Sequence, residues 1–188
     1  MGNVFHALPG SYSRRARMEE TGGFFQDRLD LDRMGICGWS IGGVNAAQMC
    51  NRLEQFKAGI NFDGTFNGII AQDGVEKPFM IMKSEPQIPE NPDDEFKKMV
   101  TMIEKYESDF ISHSEHIFRI IILGARHTNF SDQPLYDIDA AGSINTKRCH
   151  EIIMNLTKAF FDRYVLGKKD IDLNKLAESY PEILSKEF

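Results

Sequence analysis

Cysteine is scarce in this chain. Three residues in 188, odd in number and without framework spacing, exclude a disulfide scaffold and point to free thiols in a reducing compartment. No apolar run approaches the roughly 20 residues needed to span a bilayer, so no transmembrane segment is expected. Met1 is not followed by the basic and then apolar regions of a signal peptide, which favours the cytoplasm. Positive charge is the minority sign, with 22 Lys and Arg against 28 Asp and Glu and a net charge of −6. That balance excludes a general nucleic-acid surface. Five histidines are present, but only His113 and His116 lie close together, and no third ligand is near them. Neither metal nor cofactor is therefore expected. Internal repeats and low-complexity segments are absent too.

What is present suits a single globular domain over residues 1–188. Apolar residues make up 41%, and a chain of this length can bury about 70% of its unfolded surface. Residues 1–30 are the least organised. A turn at Leu8–Ser11 and a short helix over about Ser13–Glu20 are expected there. The basic cluster Arg14-Arg15-Ala16-Arg17 is balanced by Glu19 and Glu20 and reads as a solvated face.

From Leu29 onward apolar runs alternate with helical patterns. Strands are expected at Met34–Trp39, Lys57–Phe62, Pro78–Lys83 and Ile117–Leu123. Helices are expected at about Gly43–Gln55, Asp94–His113 and Thr146–Val165. The second of these places Phe96, Met99, Val100, Ile103, Tyr106 and Phe110 at helical spacing. Residues 65–76 read as loop, and the tail over 168–188 adds one short helix near Leu173–Glu178. Continuous apolar strands separated by helices indicate an α/β fold, a parallel sheet with helices on both faces. Cys37 is expected to be buried in the first strand, and Cys50 and Cys149 lie on helices. Asn129-Phe130-Ser131 and Asn155-Leu156-Thr157 would be glycosylation sites only in a secreted chain.

One stretch organises the rest. Gly38-Trp39-Ser40-Ile41-Gly42 has the G-x-S-x-G pattern of a nucleophile elbow, set between an expected strand and an expected helix. A serine projecting from so sharp a turn leaves no space for neighbouring Cβ atoms, so Gly38 and Gly42 are expected to relieve those collisions. Gly43 would let the helix start close to the strand. The Ile41 N–H would then point into the site from a helix N-terminus, where an oxyanion is favoured.

Reactive groups in parallel sheets gather at the carboxyl ends of the strands. Ser40 follows the first strand, Asp63 the second and His127 the fourth, the chain order of an α/β-hydrolase triad. A serine hydroxyl is a weak nucleophile until a base removes its proton. A neutral imidazole can do so at one nitrogen while donating from the other to a carboxylate. Asp63 and Glu85, which follows the third strand, both fit the carboxylate role, and the chemistry leaves the choice open.

Several motifs carry a resemblance in matching order. They are Leu29–Gly35 leading into Gly38–Gly43, then Ala58–Gly64, Lys77–Met80 and Ser84-Glu85, and finally His127–Asp132. From Leu29 to Gly167 the chain resembles α/β-hydrolases of the plasma-type (isoform II) platelet-activating factor acetylhydrolase group, with dienelactone hydrolases and cutinase-like esterases similar in outline. The resemblance implies Ser40 as nucleophile, Asp63 rather than Glu85 as the acid, and His127 as base. Trp39 and Phe130 would lie beside the substrate, with Trp39 standing where that group usually has histidine. It also implies a partial fold, about the last four of eight strands, without the early loop that supplies a second oxyanion donor.

The expected activity is hydrolysis of short or modified acyl esters, of small-molecule or lipid type, through an acyl-enzyme. The contrasting expectation is a truncated, non-catalytic half-domain that needs a partner chain. With an earlier strand missing, Met34–Trp39 would form a sheet edge. Self-association through that edge, as a homo-oligomer, or aggregation is then expected.

Overall fold

The computed structural model describes residues 28–187. The expected turn and helix before Glu20, with the basic cluster, lie outside them. The chain divides into two units, Met1–Asp32 and Arg33–Phe188. Of the first, the described part is a short turn in which the Asp32 N–H donates to Asp30. The second unit is an α/β domain.

Its elements run β1 (Met34–Trp39), α1 (Ile41–Arg52), β2 (Phe56–Phe62), α2 (Gly68–Asp73), β3 (Phe79–Ser84), α3 (Asp94–Ser112), β4 (Ile117–Ile122), α4 (Thr146–Tyr164), α5 (Leu173–Glu178) and β5 (Ile183–Glu187). The strands form one sheet in the order β1-β2-β3-β4-β5. The first four are parallel and β5 runs antiparallel to β4.

Side chains alternate across the sheet, which divides the core in two. Phe79 and Ile81 of β3 pack with Val44, Ala47 and Cys50 of α1, with Ile70 and Ala71 of α2, and with Phe110 of α3. Met80 and Met82 face the other way, with Ile60, Ile120 and Ile122, against Ile152, Leu156 and Phe160 of α4 and Ala177 of α5. Burying one such aliphatic or aromatic side chain contributes about 1.5–3 kcal/mol. The two layers account for the continuous apolar character of β3 and β4, which are covered on both faces.

The ends of the helices are closed by local chemistry. The Asp93 carboxylate accepts from the Phe96 N–H at the start of α3, and Asn145 accepts from the Arg148 N–H at the start of α4. Lys77 Nζ donates to the carbonyls of Cys50 and Leu53, both at 2.8 Å, and so caps the C-terminal end of α1. Among the described residues no helix is long and apolar enough to cross a membrane.

Four expectations are corrected. Residues 65–76 are not all loop, because Gly68–Asp73 forms α2; one and a half turns are too few for a periodic signal. The tail carries β5, the antiparallel strand, so the sheet is mostly rather than wholly parallel. Cys37 is exposed. β1 borders the described sheet, and Gly35, Cys37 and Trp39 along one of its faces are all exposed. Met99 is also exposed, since of the long amphipathic helix only Phe110 is fully buried.

Candidate active site

The carboxyl ends of β1 to β4 converge on a small set of polar groups. Hydrogen bonding continues one residue past the strands: the Ser40 N–H donates to the Phe62 carbonyl at 2.8 Å, and the Asp63 N–H donates to the Met82 carbonyl at 2.8 Å. Each strand is thus registered against the next up to the residue that carries a reactive group.

Ser40 occupies a strained backbone, with φ 56° and ψ −124°. Such a conformation costs a non-glycine residue about 1–3 kcal/mol. Serine at a helix N-cap ordinarily turns its hydroxyl onto the first backbone N–H groups. Here it makes no capping hydrogen bond. The turn therefore does not use the hydroxyl to start the helix. The Ile41 and Gly42 N–H groups open α1 and have no carbonyl within the helix to receive them, while Gly43 and Val44 donate to the Ser40 carbonyl.

The glycines divide differently from the sequence expectation. A Cβ on Gly38 would overlap the Gly42 carbonyl and lie 2.8 Å from the Gly43 nitrogen. One on Gly43 would overlap the Asn61 amide oxygen and lie 2.7 Å from the Gly38 carbonyl oxygen. One on Gly42 would meet nothing within 4 Å. Gly43, not Gly42, is the crowded member of the pair. Gly43→Ala is expected to lower unfolding free energy by about 2–3 kcal/mol through overpacking. Gly42→Ala is expected to leave it unchanged or raise it by less than about 1 kcal/mol. Urea denaturation of the two variants checks this, and equal destabilisation would contradict it.

Asn61 explains the crowding. It is fully buried at the end of β2. Its amide donates to the Gly64 carbonyl at 3.0 Å and accepts from the Gly64 N–H at 2.8 Å. This reciprocal pair closes the turn around Asp63, whose own φ is 54°. Sequence reasoning passed over Asn61, although an amide within the apolar run Ile60-Asn61-Phe62 must find partners once buried.

Asp63 is 9% exposed, and its carboxylate is fully engaged. Oδ1 accepts from the Ser84 N–H at 2.9 Å, and Oδ2 accepts from the Ser84 hydroxyl at 2.8 Å. His127 Nδ1 lies 2.8 Å from Oδ2. A carboxylate can only accept, so the shared proton sits on Nδ1 and Nε2 of the neutral ring is left as an acceptor. Ser84, at the end of β3, was another residue without an individual signal in the sequence.

Glu85 is not part of this group. Its Oε2 accepts from the Gly124 N–H at 2.8 Å, and its own N–H donates to the Ala125 carbonyl. It fastens the exit of β3 to the exit of β4.

The loop that presents His127 is built from three short 3₁₀ turns over His127–Phe130, Gln133–Leu135 and Ile138–Ala140. Buried Asn129 holds it closed, accepting from the Arg126 and Gly142 N–H groups at 2.8 and 2.9 Å. Thr128 adds a hydroxyl bond to the Ala140 carbonyl. Burial of Asn129 excludes the first glycosylation sequon. Phe130 stacks on Phe62 with centroids 6.1 Å apart, Trp39 packs beside the His127 ring, and Ile41 is 76% exposed at the mouth of the turn. Two of the three cysteines are held protonated by burial, which pushes the Cys50 thiol up to about 11 and that of Cys149 to about 12.

The comparisons with known proteins agree with this architecture. Among solved structures, a ferulic acid esterase from Streptomyces cinnamoneus superposes with a TM-score of 0.67 at 21% identity. The match covers 84% of this chain and 47% of that one, so the chain spans about half the length of the esterase it matches. At that identity the likeness is one of fold, the α/β-hydrolase fold. No curated protein sequence matches the chain. The sequence model described as the prolyl oligopeptidase family matches residues 25–120, half of the chain, covering the elbow, Asn61, Asp63 and Ser84 but stopping short of His127. The chain belongs to the prolyl oligopeptidase family.

Proposed function

We propose that this chain is a serine hydrolase of carboxylic ester bonds, with Ser40 as nucleophile, His127 as base and Asp63 as the carboxylate that orients it. The observation that carries the proposal is the 2.8 Å contact between His127 Nδ1 and an Asp63 carboxylate itself fixed by Ser84, beside a serine held at positive φ. In this reading His127 Nε2 takes the hydroxyl proton as Ser40 Oγ bonds to the ester carbonyl carbon. The carbonyl oxygen becomes an oxyanion facing the Ile41 N–H at the start of α1. Collapse breaks the bond to the alcohol oxygen, which leaves with the proton from His127. Water, deprotonated by the same nitrogen, then releases the acid and restores Ser40.

Two considerations favour esters over amides. The resemblance implies no early loop to supply a second oxyanion donor opposite the Ile41 N–H, and lacking one typically costs about 10²–10³ in rate. An ester, with its better leaving group, tolerates that loss more readily than an amide. The resemblance of the motifs to the platelet-activating factor acetylhydrolase group, and the fold shared with a ferulic acid esterase, point the same way and suggest short or modified acyl groups. Ile41, Trp39 and Phe130 would then border the substrate.

A second reading, a half-domain that is inactive without a partner, is favoured by the chain's spanning only 47% of the esterase it matches. β1 borders the described sheet, and self-association along it belongs to that reading. Treatment with a fluorophosphonate separates the two. The ester-hydrolase reading expects a single adduct mapped by mass spectrometry to the peptide containing Ser40, together with turnover of 4-nitrophenyl acetate that exceeds turnover of a peptidyl 4-nitroanilide. No adduct, with light scattering showing only oligomers or aggregates, would favour the half-domain.

A further inference from the structure

Trp39 stands one residue before the nucleophile, yet its side chain is engaged with the base. Its indole N–H donates to the His127 main-chain carbonyl at 3.0 Å, across 88 residues of sequence. Its ring lies against the imidazole, with centroids 4.9 Å apart and planes 33° from one another. The His127 side chain is 46% exposed, whereas that of Asp63 is 7% exposed.

A half-exposed ring held at Nδ1 alone can still pivot about that one hydrogen bond, and pivoting swings Nε2 away from any fixed target. Contact with the indole face resists the pivot, and the bond to the carbonyl resists withdrawal of the loop. Because Trp39 and Ser40 are adjacent in the chain, the brace ties the base to the same strand that carries the nucleophile. On the serine-hydrolase reading, on which this rests, we propose that Trp39 is a positioning residue that keeps the His127 imidazole aligned beside the elbow. This is a different task from lining the substrate pocket.

Trp39 is the sole tryptophan of the chain, so its emission reports on this contact directly. His127→Gln takes the ring from beside the indole, and Trp39 emission is expected to differ from that of the wild type when both are measured at one pH. Identical emission in the two would overturn the contact.

The kinetic arm uses Trp39→Phe, together with benzothienylalanine placed at position 39, which keeps the indole shape and lacks the N–H. Each is expected to lower kcat for 4-nitrophenyl acetate about tenfold, with KM changed less than about twofold. Phosphonate labelling is expected to slow in proportion. An unchanged kcat in both variants, or a change confined to KM, would overturn the positioning role and leave the serine-hydrolase reading intact. If the wild type neither hydrolyses ester nor takes up phosphonate, the hydrolase reading fails, and the emission comparison alone then decides whether Trp39 braces His127.

Discussion

Ser40→Ala and His127→Ala are each expected to remove about 10⁶ from kcat on an activated ester, and the double variant is expected to remove no more than either alone. In the proposed mechanism the two side chains perform one act. Without the base, the Ser40 hydroxyl keeps its proton and cannot attack; without the hydroxyl, the base has nothing on the enzyme to deprotonate. What survives in all three variants is the contribution of groups that need neither. These are the Ile41 N–H at the start of α1 and whatever binding the exposed surface around Ile41 supplies. Steady-state turnover of 4-nitrophenyl acetate, with each variant purified free of host esterases, measures this. Losses that multiply in the double variant would mean that Ser40 and His127 act independently, and would sink the proposed mechanism.

Asp63→Asn is expected to lower kcat by about 10⁴ while leaving the fold intact. Ser84 decides how the amide would sit. The Ser84 backbone N–H can only donate, so the amide oxygen must stay at the Oδ1 position, where the carboxylate oxygen accepts that N–H at 2.9 Å. The amide NH₂ then falls at Oδ2, facing the Ser84 hydroxyl and His127 Nδ1. The hydroxyl can rotate to accept. The imidazole can accept only by moving its proton to Nε2, which leaves no lone pair there to act as base. Glu85→Gln carries no such consequence, since an amide oxygen can still accept from the Gly124 N–H, and a change of less than about threefold is expected from keeping that hydrogen bond. Circular dichroism and denaturation of both variants separate loss of chemistry from loss of fold. A crippling Glu85→Gln beside a mild Asp63→Asn would reverse the assignment of the acid.

The degree to which the chain could be read from sequence follows the physics of each element. β2 to β4 announce themselves because strands covered on both faces become continuous apolar runs, and β1 is marked by the elbow that follows it. β5 does not, because an antiparallel border strand of sequence Ile-Leu-Ser-Lys-Glu has no such run. α2 is six residues long, shorter than the window in which a helical period can be detected. Ser40, Asp63 and His127 stood out because each follows an apolar strand with a residue type that carries chemistry.

Asn61 and Ser84 did not stand out, because their contribution lies in what they hold rather than in what they react with. Asn61 closes a turn and Ser84 fixes a carboxylate. Both depend on partners distant in sequence or on the backbone, and neither follows a spacing rule. The choice between Asp63 and Glu85 had the same cause. Two acids at the ends of neighbouring strands are equivalent on paper and differ only in which one meets His127. The exchange of roles between Gly42 and Gly43 is likewise a matter of direction, since the helix turns Gly43 toward Asn61 and Gly42 toward open space.

The hydrogen bond from His127 to Asp63 spans 64 residues and that from Trp39 to His127 spans 88, which bears on how the protein is made. A ribosome releases Ser40 first and Asp63 soon after, and β1, β2 and β3 can pair with little chain between them. His127 belongs to the far side of β4 and is absent from every nascent chain that ends before it. On the proposed mechanism, synthesis therefore passes through an interval in which Ser40 is present without its base, and reactivity waits for the docking of β4 and its following loop. On that mechanism a chain that ends within the interval is inert rather than ungoverned.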